Sequence, residues 1–145
     1  MVKAAYLKQF ITYTSWPDNG TSTIKIAIIG KENVYNIIKK GFNNLQIREK
    51  AIEVVDKNEF LNSGKKNFHL IFIARTHQHL VHEVTKNILE APVLVVTESQ
   101  QMNKNLAHLH FIITSEDNVH FKINQKRYKS TGLIPDYVLL EYAYR

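Results

Sequence analysis

Three short aliphatic runs constrain this chain more than any other feature: IKIAII at 24–29, FHLIFIA at 68–74 and PVLVVT at 92–97. None keeps the apolar-polar alternation of a strand with one wet face. Short runs of this kind are expected of strands buried on both faces, as in a parallel sheet. A fourth strand-like run, AIEVV, spans 51–55. Helical patterns fall between the runs. One surrounds Val34, Ile37 and Ile38 and ends near Gly41. A short one at Glu59, Phe60 and Leu61 is stopped by Ser63-Gly64. A third covers 77–89, with Leu80, Val81, Val84 and Ile88 on its inner side. Strands alternating with helices imply βαβ units.

The two ends of the chain read differently. Residues 2–15, VKAAYLKQFITYTS, read as a helix whose polar stripe is Lys8, Thr12 and Ser15, and whose wide apolar remainder must be covered on more than one side. Pro17 disfavours helical backbone at Trp16 and ends the helix, and Asp18-Asn19-Gly20 is turn chemistry. Near the other end, runs at 109–115 and 119–124 flank Glu116-Asp117-Asn118. A three-residue loop there sets Ile113 opposite Phe121 and Phe111 opposite Ile123, and so gathers apolar pairs on one face. A helix over 126–131 stops at Gly132, and a final helix occupies 133–145 with Pro135 and Asp136 near its start. The expected fold is α/β: a mixed, mostly parallel, five- to six-stranded sheet flanked by helices, Rossmann-like but not nucleotide-binding, with a C-terminal antiparallel hairpin. The length of 145 residues suits one domain, 1–145.

Several kinds of chemistry lack their residues. Without cysteine there is no disulfide scaffold, thiol nucleophile or cysteine zinc site. No GxGxxG follows the first strand, and neither GxxxxGK[ST] nor GxSxG occurs. The strand ends carry no carboxylate cluster of the kind a phosphoacceptor domain uses to hold magnesium. The net charge of +6 is spread over pairs such as Lys39-Lys40, Lys65-Lys66 and Lys126-Arg127. A solvated lysine-rich surface is the favoured reading over nucleic acid, an anionic membrane surface or an acidic partner. No run of about 18 apolar residues is present to span a membrane. His77, His79 and His82 form HxHxxH, a weak metal signal, and polar residues at a helix start explain it as well. His108 and His110 read as ordinary strand histidines. No metal, cofactor or catalytic residue is assigned.

The segments VKAAYLKQFITYTSWPDN, IKIAIIG, LHFIITSEDNVHFKIN and TGLIPDYVLLEYA occur in an order that resembles the YfiR-like domain family. The match is carried by Lys3 to Leu7, Phe10, Trp16-Pro17, Gly30, Phe111, Phe121, Ile123-Asn124, Gly132-Leu133, Leu139-Leu140 and Ala143. The resemblance implies a non-enzymatic, exported, periplasmic domain without cofactor. Such a domain restrains a membrane-bound diguanylate cyclase through protein contacts and so sets cyclic-di-GMP output. Related domains serve as sensory inputs on histidine kinases, and members are often dimers. Export would mean that a signal segment has been removed ahead of Met1. The family's cysteine-based redox control has no counterpart in this chain, its paired serines are Pro135-Asp136 here, and its glycine-rich lead into the hairpin is Asn105-Leu106-Ala107-His108.

Trp16 reads first as a plug between the first helix and the sheet. The contact surface expected for a partner combines Tyr6, Phe10 and Trp16 with Tyr137, Tyr142 and Tyr144. An alternative role is a small-molecule sensor using a cleft beyond the carboxyl ends of the parallel strands, lined by residues after Gly30, Ala74 and Thr97.

Overall fold

The computed structural model describes residues 2–17, 22–63, 67–86, 88–98, 106–113 and 118–144. The expected turn residues 18–20, the stop at Gly64, the Lys65-Lys66 pair and the loop residues Glu116 and Asp117 lie outside them.

The helices are α1 (Val2–Thr12), α2 (Glu32–Gly41), α3 (Lys57–Leu61), α4 (Val81–Thr85), α5 (Gln125–Thr131) and α6 (Tyr137–Tyr142). The strands are β1 (Thr14–Ser15), β2 (Thr23–Ile29), β3 (Gln46–Ile47), β4 (Lys50–Val55), β5 (Leu70–Ile73), β6 (Leu94–Thr97), β7 (Leu109–Ile113), β8 (Val119–Ile123) and β9 (Ile134–Pro135). Seven strands form one sheet in the order β3-β4-β2-β5-β6-β7-β8, and β1 pairs with β9 in a separate two-stranded sheet. Pairings from β4 through β7 are parallel, and the two outermost strands, β3 and β8, are antiparallel. The fold is therefore α/β with a mostly parallel mixed sheet, one or two strands wider than the aliphatic runs alone indicate.

Strand patterning explains the layers. Successive residues point to opposite faces. Ile24, Ile26 and Ile28 join one core with Leu70, Phe72, Leu94, Val96, Leu109 and Phe111. Ala27 and Ile29 join the other with Ile71, Ile73 and Val95. Leu7, Phe10 and Ile11 of α1 and Ile38 of α2 cover the first face. Phe60 of α3 and Val81 and Val84 of α4 cover the second. Each such fully buried side chain contributes about 1.5–3 kcal/mol relative to exposure. Helix α1 is flanked as well as floored, because a Cβ on Gly41 of α2 would lie 3.1 Å from the Ala4 Cβ.

The structure corrects four boundaries. Helix α1 ends at Thr12, not at 15. Thr14 and Ser15 instead pair with Pro135 and Ile134. The Asp136 N–H donates to the Tyr13 carbonyl at 2.7 Å, and the Arg48 guanidinium donates to the carbonyls of Thr12 and Thr14 at 2.6 and 2.8 Å. These donors satisfy carbonyls at and just beyond the helix end, which have no intrahelical partner. The expected helix over 77–89 is a 3-10 helix, Arg75–Leu80, followed by the short α4, with non-helical backbone at His77. Closing helix α6 begins only at Tyr137, with Asp136 as its cap accepting from the Val138 N–H at 2.9 Å, because Ile134 and Pro135 are taken by β9.

The fourth correction concerns the hairpin. Phe111 faces Phe121 and Ile113 faces Val119, so five residues, 114–118, separate the strands rather than three. The expected pairing is displaced by two residues. An even displacement leaves every side chain on its expected face, so the apolar pattern tolerates either register.

Candidate functional site

An open groove of about 700 Å³ lies where α1, β8 and α6 meet. Helix α1 contributes Tyr6 and Gln9, with Tyr13 just after its end; β8 contributes His120 and Phe121; α6 contributes Glu141 and Tyr142. Local chemistry fixes each wall. The Tyr6 hydroxyl donates to the Val119 carbonyl at 2.9 Å. Its ring stands edge-on to Phe111 and Phe121, with centroids 5.7 Å away in both cases. Phe10 supports the floor with its ring 4.9 Å from Phe121. Beyond α6 the chain turns extended at Ala143, and the Tyr144 N–H donates to the Phe121 carbonyl at 2.8 Å. The carbonyls of Val119 and Phe121 on the sheet's edge strand are thus both occupied. That blunts the edge against pairing with a further strand.

The end of the chain concentrates exposed apolar surface. Ile134 is 65%, Tyr137 67%, Tyr142 72% and Tyr144 43% exposed. Of the residues expected to meet a partner, Tyr6 and Tyr142 line the groove, Tyr144 borders it through its ring contact with His120 at 5.0 Å, and Tyr137 stands at the other end of α6. Phe10 is fully buried and has no surface to offer, so its part is to shape the site from beneath. Trp16 lies elsewhere. Its indole N–H donates to the His69 carbonyl at 3.1 Å, and its ring meets the His69 imidazole edge-on at 5.6 Å. His69 accepts in turn from the Lys25 N–H at 3.1 Å, and burial, with Lys50 nearby, lowers its pKa. The tryptophan anchors the chain against the amino end of β5. Gln9, Tyr13, His120 and Glu141 escaped the sequence reading, because only the folding back of α6 onto β8 brings them to one place.

A second, more polar cleft of about 440 Å³ opens at the carboxyl ends of β2, β4 and β5. Lys31 and Glu32 follow β2, Asp56 to Asn58 follow β4, and His77 follows β5. This is where the strand order reverses around β2, the usual ligand position of such sheets. Residues after Gly30 and Ala74 line it as expected; of the residues after Thr97, Glu98 is described and is not among its lining. Glu98 instead pairs with Lys3 and accepts from the Arg75 N–H at 2.9 Å. Asp56 is engaged as the cap of α3, accepting from the Glu59 N–H at 2.9 Å. Burial and then the positive charge of Lys57, of His79 and of Lys31 lower the pKa of His77. The His77 and His79 rings stack at 5.9 Å. Among the described residues no group of three His, Asp or Glu side chains is placed to hold a metal ion. His108 is wholly buried, and both ring nitrogens are hydrogen-bonded within the protein.

The molecule is a doubly wound α/β fold whose strand ends lack a glycine-rich phosphate loop, and four of whose exposed large apolar side chains, Ile134, Tyr137, Tyr142 and Tyr144, lie on and around the last helix. A family model described as YfiR/HmsC-like matches residues 1–144, and the chain belongs to that family. No curated protein matches it. Among the described residues no helix is long and apolar enough to cross a membrane.

Proposed function

We propose that this protein is a non-enzymatic periplasmic regulator that binds a membrane signalling protein of the diguanylate cyclase or histidine kinase type, in keeping with its YfiR/HmsC-like family. The observation that carries the docking site is the gathering of Ile134, Tyr137, Tyr142 and Tyr144 on one short terminal segment, beside the groove under Tyr6. Tyrosine suits such a surface because it offers large contact area with a polar tip at low entropic cost. A homodimer using the same face would compete with that partner, and light scattering across a concentration series reads it directly.

Affinity capture from membranes tests the proposal, with the protein compared against its Tyr137→Ala/Tyr142→Ala double variant. The wild type should retain a cyclase or kinase that the variant releases, and deletion of the gene should change cyclic-di-GMP. Recovery of no such partner, with cyclic-di-GMP unchanged on deletion, would end this reading. The polar cleft beyond β2, β4 and β5 supports a second reading as a small-molecule sensor. In a thermal-shift screen, a ligand at 100 times its Kd should add about 2.7 kcal/mol of stability.

A further inference from the structure

In a chain of net charge +6, Glu141 is the only Asp, Glu, Lys or Arg among the described residues that line the groove between α1, β8 and α6. Glu141 is exposed, and among the described residues no basic side chain forms an ion pair with it. Around it stand Tyr6, Tyr13, Tyr142, Phe121 and His120. The protein's own lysines sit over other rings, Lys8 over Phe42, Lys25 over Phe68 and Lys39 over Tyr35. Among the described residues none sits over a ring of the groove.

We propose that this groove binds a small organic cation with an alkylated ammonium head. The head lies against the tyrosine rings, with the Glu141 carboxylate as counter-charge. Aromatic faces attract cations through the ring quadrupole. An unalkylated ammonium has three N–H donors to satisfy, whereas five of the eight described lining residues are aromatic and the side-chain acceptors are chiefly Gln9 and Glu141. An alkylated head spreads its charge over methyl groups that rings solvate well. The groove's volume lies within the range of small-molecule sites. An extended peptide fits less well, because the outward carbonyls of Val119 and Phe121 are already occupied by Tyr6 and Tyr144.

The test is an NMR titration of the whole protein with choline and with its uncharged isostere 3,3-dimethylbutan-1-ol, at constant ionic strength. A third arm uses N-acetyl-arginine amide, standing for a basic side chain of a protein partner. Choline should bind saturably, with shifts centred on Tyr13, His120 and Tyr142, and the isostere should bind at least about tenfold more weakly. Tyr142→Ala and Glu141→Gln, both at exposed positions, should each weaken choline by about fivefold or more. Equal binding of the isostere would overturn the proposal. So would shifts centred on Lys31 and Asn58, or binding of the arginine compound alone. None of these outcomes depends on whether a membrane partner is recovered.

Discussion

Lowering the pH from 7 to 5 should cost this fold about 2 kcal/mol through one side chain, His108. Its imidazole is wholly buried. Nδ1 accepts from the Val95 N–H at 3.0 Å, so the proton resides on Nε2, which donates to the Thr131 hydroxyl at 2.8 Å. Protonation would turn a second N–H against the Val95 donor, in a site whose nearest charge is the Arg127 guanidinium. Burial first, and Arg127 second, lower the pKa from 6.5 to about 3. Between those two values the unfolded chain binds a proton that the folded chain refuses. The stability is complete above 6.5 and is lost as pH falls toward 3, at about 1.4 kcal/mol per pH unit. Urea titrations at both pH values measure the loss. His69, His77 and His110 also have lowered pKa values, so the informative quantity is a difference between proteins. His108→Asn keeps an acceptor for Val95 and removes the titration. It should be less stable than wild type at pH 7, yet lose about 2 kcal/mol less on going to pH 5. An identical loss in both proteins would refute the reasoning.

Other substitutions probe the packing that positions the site. Thr14 and Tyr128 share a buried hydroxyl pair at 3.0 Å, so Tyr128→Phe strands the Thr14 hydroxyl. It should cost about 1–3 kcal/mol by thermal melting, and adding Thr14→Val should recover part of that. A Cβ on Gly30 would lie 3.0 Å from the Ala74 Cβ where β2 and β5 end. Gly30→Ala should therefore cost about 1–3 kcal/mol, and Ala74→Gly in the same chain should relieve the clash. Arg127 is buried, with Nε donating to the Leu106 carbonyl at 3.2 Å and, among the described residues, one terminal nitrogen without a partner. Arg127→Met should cost about 1–3 kcal/mol in urea, because the Leu106 carbonyl and the Ser130 hydroxyl each lose a donor.

How far the sequence could be read depended on where each element draws its stability. Strands β2, β5 and β6 were legible because both faces are buried and their residues are nearly all aliphatic. Strand β3 was not, because its turn is unusual. Gln46 and Ile47 pair back onto Ala51 and Lys50 through Arg48 and Glu49, whose φ values are 55° and 64°. Two-residue turns of this hand are normally announced by Asn-Gly or Asp-Gly. Here the left-handed backbone is offset by the bonds Arg48 makes to Thr12 and Thr14, which no local pattern reveals. The β1–β9 pair joins residues far apart in the chain, and a two-residue strand has no periodicity to detect. The groove was half visible. Tyr6 and Tyr142 stood out as aromatic surface, whereas Glu141 gains its meaning only from standing as the one charged side chain among the groove's described lining residues. Trp16, the chain's sole tryptophan, is bonded to His69 and is not among the groove's described lining residues.

Hydrogen exchange of the protein alone and bound to the proposed membrane partner tests the central claim most directly. The account predicts slowed exchange in β8, Val119–Ile123, and in α6, Tyr137–Tyr142, with residues 30–36 and 56–58 unaffected. Protection confined to those latter segments, with β8 and α6 exchanging as freely as before, would contradict it.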